Sequence, residues 1–301
     1  MAMIGWNGTL LTDKDAVIPV GDHGFLYGLS LFETMRTYKG QPFRLEQHLE
    51  RLHEGCRALG IKLSLEAEPL RMHIQEVMHA NRLEEAYIRL TVSAGEQGVG
   101  LPTGDYLAPT VIVLAKPLPD LPSSLYEQGK PLQLLRIRRN TPEGEIRFKS
   151  GHYMNNILAK RELMQYESAK LGAEGLLFTA EGDAAEGIVS NIFAISEHTL
   201  FTPPIHTGIL PGITRAVTIE IAKQLGIPVV ERTFGREMLL HECDELFITT
   251  SVQELVPITA VWDEANHLVQ VGSGKAGPLT IRLLEAYRSI AWKEAQVDEN
   301  R

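Results

Sequence analysis

The chain has 301 residues, 44% of them apolar, enough for one large domain or two medium ones around a real core. Its formal net charge of −9 is spread along the sequence, leaving no basic stripe to neutralise a phosphate backbone, so nucleic acid is not expected as a partner. No charged-then-apolar leader opens the chain, no run approaches the roughly 18 apolar residues of a membrane span, and Cys56 and Cys243 lack metal-ligand spacing; a cytoplasmic protein with reduced thiols and no membrane partner is expected.

The opening third alternates short extended runs with helices. Residues 16–20, AVIPV, and 32–38, FETMRTY, read as strands, and Gly40 and Pro42 punctuate a turn. Leu45, Leu49, Leu52, Cys56 and Leu59 then recur at spacings of four, three, four and three, which predicts an amphipathic helix ended by Gly60. Arg51 lies beside that stripe, where a guanidinium either snorkels at the edge of a buried face or serves as a ligand. A second helix carries Leu70, Ile74 and Val77. In AYIRLTVSAG, alternation sets Ile88, Leu90 and Val92 on one strand face and Arg89 on the other, towards either solvent or a polar cavity.

After the strand PTVIVLA comes KPLPDLPSSLYEQGKP, whose four prolines can continue neither a helix nor a central strand. The expected division is a small N-terminal α/β domain over 1–118, a linker over 119–130 and a larger C-terminal domain over 131–301. The second part opens on the strand-like LQLLRIRR, followed by a loop at Lys149 and a helix to about Leu171. GLLFT, IVSNIFAIS and LFTPP read as short antiparallel strands. Ile213, Val217, Ile221 and Leu225 mark a helix, ELFITT a strand, and a last helix begins near Pro278. The acidic end EAQVDENR reads as solvated. The whole reads as an α+β fold of two domains with a cleft between them.

No G-x-S-x-G elbow, Walker loop, H-E-x-x-H or G-x-G-x-x-G is present, which removes several large enzyme classes. What remains is dispersed. In GILPGITRAV a Pro-Gly turn feeds a helix whose first residues are Ile213 and Thr214; either Thr214 caps it, or its free N–H groups meet a phosphate. Thr249, Thr250 and Ser251 place hydroxyls at the end of a strand. Glu186 lies among small residues beside an apolar strand that Ser190 and Asn191 interrupt; a carboxylate there is expensive to bury unless something cationic meets it. Lys149, between Phe148 and Ser150, is either a surface lysine or an amine made nucleophilic by partial burial. An amine for a carbonyl, a carboxylate for a ring nitrogen and donors for a phosphate form the inventory that pyridoxal 5′-phosphate needs.

IGWNGTLL, DHGFLYGLSLFETMR, HLERL, FKSGHYMNNILAKREL, AEGIVSNIF, GILPGITR and DELFITTSVQELVPI occur in that order along nearly the whole chain. Together they resemble the fold type IV pyridoxal-phosphate enzymes, the class IV aminotransferase superfamily, which includes D-amino-acid and branched-chain aminotransferases and 4-amino-4-deoxychorismate lyase. The resemblance implies that Lys149 bonds the cofactor's aldehyde and that Glu186 keeps its ring nitrogen protonated. It implies a phosphate cup of Arg51, Ile213, Thr214 and Ser251 with Thr250 adjoining, Leu210 against the ring, and Ser190 and Asn191 lining the pocket. It also implies a homodimer in which the 95–108 loop acts in trans on a small-molecule substrate.

Within the family, SAGEQGVGLPTGDY lacks the arginine and histidine with which D-amino-acid aminotransferases hold a carboxylate, and Phe32 stands where those enzymes have tyrosine. FETMR with Thr34, the run from Arg138 to Glu162, and Ser251 to Glu254 look most like the Bacillus-type 4-amino-4-deoxychorismate lyases. Other lyases of this group carry an arginine where Val99 stands, so Arg89, Arg138 or Arg139 is the expected partner of the substrate carboxylates. Thr34 is expected to assist Lys149 with protons.

Overall fold

The computed structural model describes residues 2–299, which divide into two compact units. The first takes the chain up to Pro119, then Phe148–His152, and the last turns from Ile290; the second takes Asp120–Arg147 and Tyr153–Ser289.

In the first unit a hairpin of β1 (Met3–Trp6) and β2 (Thr9–Thr12) leads to a short helix α1 (His23–Tyr27), then β3 (Ser30–Tyr38) and β4 (Gln41–Pro42). Helices α2 (Leu45–Ala58) and α3 (Ala67–Ala80) precede β5 (Tyr87–Ser93) and β6 (Thr110–Lys116). The strands form one antiparallel sheet in the order β2-β1-β6-β5-β3-β4. Leu49, Leu52 and Cys56 of α2 and Ile74 and Val77 of α3 cover Leu31, Met35, Ile88, Leu90 and Val92 of the sheet, so the helical stripes and the strand alternation meet in one core. The expected strand at 16–20 is absent: Pro19 lacks the N–H a ladder needs, its carbonyl accepts the Asp22 N–H, and Val17 and Val20 are exposed.

The second unit holds α4 (Ser123–Glu127), β7 (Lys130–Arg138), α5 (Met154–Leu163), β8 (Glu174–Phe178), β9 (Ala184–Gly187), β10 (Asn191–Ser196) and β11 (Thr199–Thr202). It continues with α6 (Ile213–Gln224), β12 (Val229–Glu231), β13 (Glu245–Thr250), β14 (Glu254–Trp262), β15 (Leu268–Gln270) and α7 (Pro278–Glu299), whose final turns belong to the first unit. Its sheet runs β12-β11-β10-β13-β14-β7-β8-β9, with β15 on β14. The sheet is mixed rather than antiparallel throughout: β7 pairs in parallel with both β8 and β14, and β11 with β12.

Two boundaries differ from expectation. The 119–130 stretch is no free linker, because Ser123–Glu127 is helical and buries Tyr126. Phe148–His152 leaves the C-terminal part because its backbone bonds to β3, with Phe32 N–H donating to the Lys149 carbonyl at 2.8 Å and Gly151 N–H to the Ser30 carbonyl at 2.8 Å. The helix after Lys149 stops at Leu163, and Glu167–Leu171 forms a separate 3₁₀ turn. The terminal EAQVDENR extends beyond the described residues.

Candidate active site

The expected site residues fall in both units: Phe32, Thr34, Arg51, Arg89 and Lys149 in the first, and Arg138, Glu186, Ser190, Asn191, Leu210, Ile213, Thr214, Thr250 and Ser251 in the second.

In the first unit the β3–β5 register sets Thr34 opposite Arg89 and Phe32 opposite Thr91. Phe32, Thr34 and Arg89 therefore share the face opposite the apolar core. Because the Lys149 backbone is paired to Phe32, its amine comes to the same face: Lys149 Nζ lies 4.8 Å from the Phe32 ring centroid and Arg89 Cζ 3.7 Å from it. An amine and a guanidinium thus share one buried aromatic ring.

Arg51 is no snorkelling residue. Its Nε donates to Glu33 Oε1 at 2.8 Å and its Nη2 to Glu33 Oε2 at 2.5 Å, the fork geometry that fixes a guanidinium plane. Glu33 is 1% exposed, on the core-facing parity of β3 between Leu31 and Met35, and His48 Nδ1 lies 2.6 Å from its Oε2. Burial alone would raise the Glu33 pKa, but the Arg51 charge and the hydrogen bonds of Arg51 and His48 outweigh it and bring it down to about 2. Burial lowers the His48 pKa more than Glu33 raises it, so the imidazole stands neutral at pH 7 and donates Nδ1–H to the carboxylate.

A carboxyl whose folded pKa is depressed contributes stability above its unfolded pKa and loses it as pH falls through the folded value. Taking Glu33 from 4.5 to about 2 corresponds to roughly 3 kcal/mol, present at pH 7 and lost between about pH 5 and pH 2. Unfolding free energies measured across that range are expected to fall for the wild type. Glu33→Gln is expected to be less stable at pH 7 and flatter with pH; an equally steep profile in Glu33→Gln would rule this assignment out.

In the second unit the cationic partner that a buried Glu186 requires is present. Arg139 Nε donates to Oε1 at 2.7 Å and Arg147 Nε stands 3.8 Å from the same oxygen, while Oε2 accepts Leu210 N–H at 2.9 Å and Asn191 Nδ2 at 3.4 Å. Arg147 burial brings its pKa down to about 10, and its Nε also donates to the Gly208 carbonyl at 2.6 Å, fixing the stretch of chain that carries Leu210. Arg139 is therefore committed to Glu186 rather than to a substrate. Arg138, of opposite parity on β7, is exposed.

Helix α6 begins at Gly212 without any side-chain cap, so Thr214 does not close the helix start. Gly212 is required there, since a Cβ would come within 2.0 Å of Asn191 Oδ1. Arg215 of the same turn donates to the Pro203 carbonyl at 2.8 Å and to Glu231 at 2.6 Å, which anchors the helix. Two buried hydroxyl oxygens in this unit, Ser190 Oγ and Thr249 Oγ1, have no hydrogen-bond partner, and Thr249 pairs with Asn191 across β10 and β13. Uncapped helix amides and orphaned buried hydroxyls in one unit suit a bound phosphate ester. Thr250 Oγ1 accepts the Gln253 N–H at 2.8 Å, which leaves its O–H to donate, and Ser251 follows in the turn.

The model of the class IV amino-transferases matches residues 30–261. The chain belongs to that family. Aminodeoxychorismate lyase of Bacillus subtilis is 39% identical over 98% of this class IV chain and 100% of its own length. The crystal structure of Escherichia coli branched-chain amino acid aminotransferase matches with a TM-score of 0.84 at 30% identity, covering 97% of this chain and 95% of that one. The T.th. branched-chain amino acid aminotransferase complexed with N-(5′-phosphopyridoxyl)-L-glutamate matches with a TM-score of 0.81 at 29% identity, covering 97% and 94%. The family assignment agrees with the two-domain fold type IV architecture expected from the sequence.

Glu33, His48, Arg147 and Arg215 are not singled out by the sequence. For Glu33 a signal exists: a carboxylate on the apolar parity of a strand demands a buried cation. The other three are located by contacts across the fold.

Proposed function

We infer that this class IV enzyme is a pyridoxal-phosphate-dependent 4-amino-4-deoxychorismate lyase, which releases pyruvate and leaves 4-aminobenzoate. The observation that carries the reading is the Phe32 ring shared by the Lys149 amine and the Arg89 guanidinium, with Thr34 directly across from Arg89. It puts an amine for proton transfer and a cation for a carboxylate on one face, as a substrate bearing both nitrogen and carboxylates needs. The near full-length likeness to the Bacillus subtilis lyase favours this branch.

When bound, pyridoxal phosphate supplies an aldehyde and a ring that accepts the electron pair left by a breaking C–H bond. Lys149 would bond the aldehyde carbon, and Glu186 would accept a hydrogen bond from the protonated ring nitrogen. Arg51, the α6 amides of Ile213 and Thr214, and the Thr250–Ser251 hydroxyls would hold the phosphate; Leu210, Ser190 and Asn191 would line the ring's surroundings. Lys149 Nζ takes the proton from the substrate carbon that bears nitrogen and, with the Thr34 hydroxyl, returns a proton to the methylene of the departing side chain. Arg89 orients a carboxylate against Phe32. Aromatisation makes the departure downhill.

The branched-chain and D-alanine aminotransferases among the relatives favour a second reading, transamination, which differs in where the last proton lands. A homodimer belongs to both readings; the exposed Phe25, Val99 and Leu101 of the first unit would lie against the second copy. One experiment tests the whole. Purified protein of dimeric mass by light scattering, incubated with aminodeoxychorismate, is expected to release fluorescent 4-aminobenzoate, while D-alanine or L-leucine with 2-oxoglutarate gives no turnover. Turnover only in the second incubation would replace the lyase with a transaminase.

A further inference from the structure

The turn that joins β13 to β14, Ser251 to Gln253, is closed by the pair Thr250 and Glu254. Glu254 holds φ +62°, a left-handed conformation in which short hairpin loops ordinarily place glycine or asparagine. A glutamate that is 2% exposed in that conformation is strained by its backbone and desolvated at its carboxylate. The carboxylate is answered by a cation: Arg288 Nε of α7 donates to Glu254 Oε2 at 2.7 Å.

The neighbours converge on the C-terminal end of the turn, at Gln253 and Glu254. Arg288 Cζ stacks 4.2 Å over the ring of Tyr126, and the Tyr126 hydroxyl donates to the Gln253 carbonyl at 3.3 Å. Lys130 Nζ reaches Gln253 Oε1 at 3.4 Å, and within the turn Gln253 N–H donates to Thr250 Oγ1. Helix α4 and strand β7 thus both hold Gln253, the last residue of the turn, and helix α7 holds Glu254, the residue that closes it.

We propose that Glu254, with Arg288 and Tyr126, is a positioning group that locks the Thr250–Gln253 turn in the conformation presenting its hydroxyls and amides to a phosphate monoester. Selectivity for the phosphorylated cofactor over its dephosphorylated form is then set partly by residues that never touch it. The inference rests on the reading of Thr250 and Ser251 as part of the phosphate cup.

The test titrates full-length protein, freed of cofactor, with pyridoxal phosphate and with pyridoxal. Wild type is expected to prefer the phosphorylated form strongly. Arg288→Gln and Glu254→Gln are expected to lose about tenfold in affinity for pyridoxal phosphate, against less than about twofold for pyridoxal. Arg288→Lys restores part of the loss, and Glu254→Gly, which suits the backbone but lacks the carboxylate, does not. If Glu254→Gln fails to fold, Arg288→Gln, at a side chain 38% exposed, carries the same comparison. Equal losses for both ligands, or none for either, overturn the proposal. A wild type that does not distinguish the two ligands instead sinks the phosphate-cup reading, and the brace with it.

Discussion

Lys149→Ala is expected to lower turnover by at least about 10³-fold while leaving the fold intact, because the substitution removes the amine proposed to bond the cofactor's aldehyde and to transfer the proton. The backbone at 149 is held by the Phe32 N–H bond to its carbonyl, which alanine keeps, and the side chain is half-buried rather than part of the core. Stability is therefore expected to change by no more than about 1 kcal/mol. Lys149→Arg sharpens the test. It preserves a cation over the Phe32 ring, but a guanidinium does not give up its proton near neutrality, so it is expected to be as inactive as alanine. Borohydride reduction followed by digestion should place the cofactor's mass on the Lys149 peptide in wild type alone. An active Lys149→Arg, or cofactor mass on another lysine, would remove Lys149 from the chemistry.

Glu186→Gln is expected to damage both stability and activity, and the two losses can be separated. The carboxylate is the anion shared by Arg139 and Arg147, whose side chains are 8% and 9% exposed. Removing one partner of a buried pair leaves an uncompensated charge, at a cost of about 3–5 kcal/mol. Glutamine also presents an amide N–H₂ where Leu210 N–H and Arg139 Nε both donate, so at least one donor faces another. Adding Arg139→Gln removes the stranded charge closest to the site. The double variant is expected to recover a large part of the stability measured by denaturant unfolding, yet to stay at least about 100-fold below wild-type activity, since the carboxylate proposed to hold the ring nitrogen's proton is then gone. Activity that returned together with stability would reduce Glu186 to a structural ion-pair partner.

How much of this is legible in the sequence follows from the range of the forces involved. The α2 stripe from Leu45 to Cys56 and the alternation of β5 are readable because a helix or strand exposes one face with a fixed period, and both faces fill one core. The nine residues of β14 carry no clear sequence signal because Pro257 breaks the usual strand pattern. The ladder to β7 begins only at Ile258, so Pro257 has a single strand neighbour and its missing N–H is tolerated. Sequence reasoning offers Arg139 to the substrate because its chain neighbours say nothing of Glu186, 47 residues away.

By itself the sequence determined the amphipathic helices and the alternating strand β5, the presence of an amine, a carboxylate and anion-binding hydroxyls in family order, and the rule that Glu186 needs a cation if buried. Those depend on local periodicity and on the desolvation of single groups, which residue type alone sets. Only the tertiary structure decided which cation answers each carboxylate, Arg51 for Glu33 and Arg139 for Glu186, and that Lys149 joins β3 through its backbone. Partner choice is a matter of distance between groups far apart in the chain, and that distance exists only once the cores have packed.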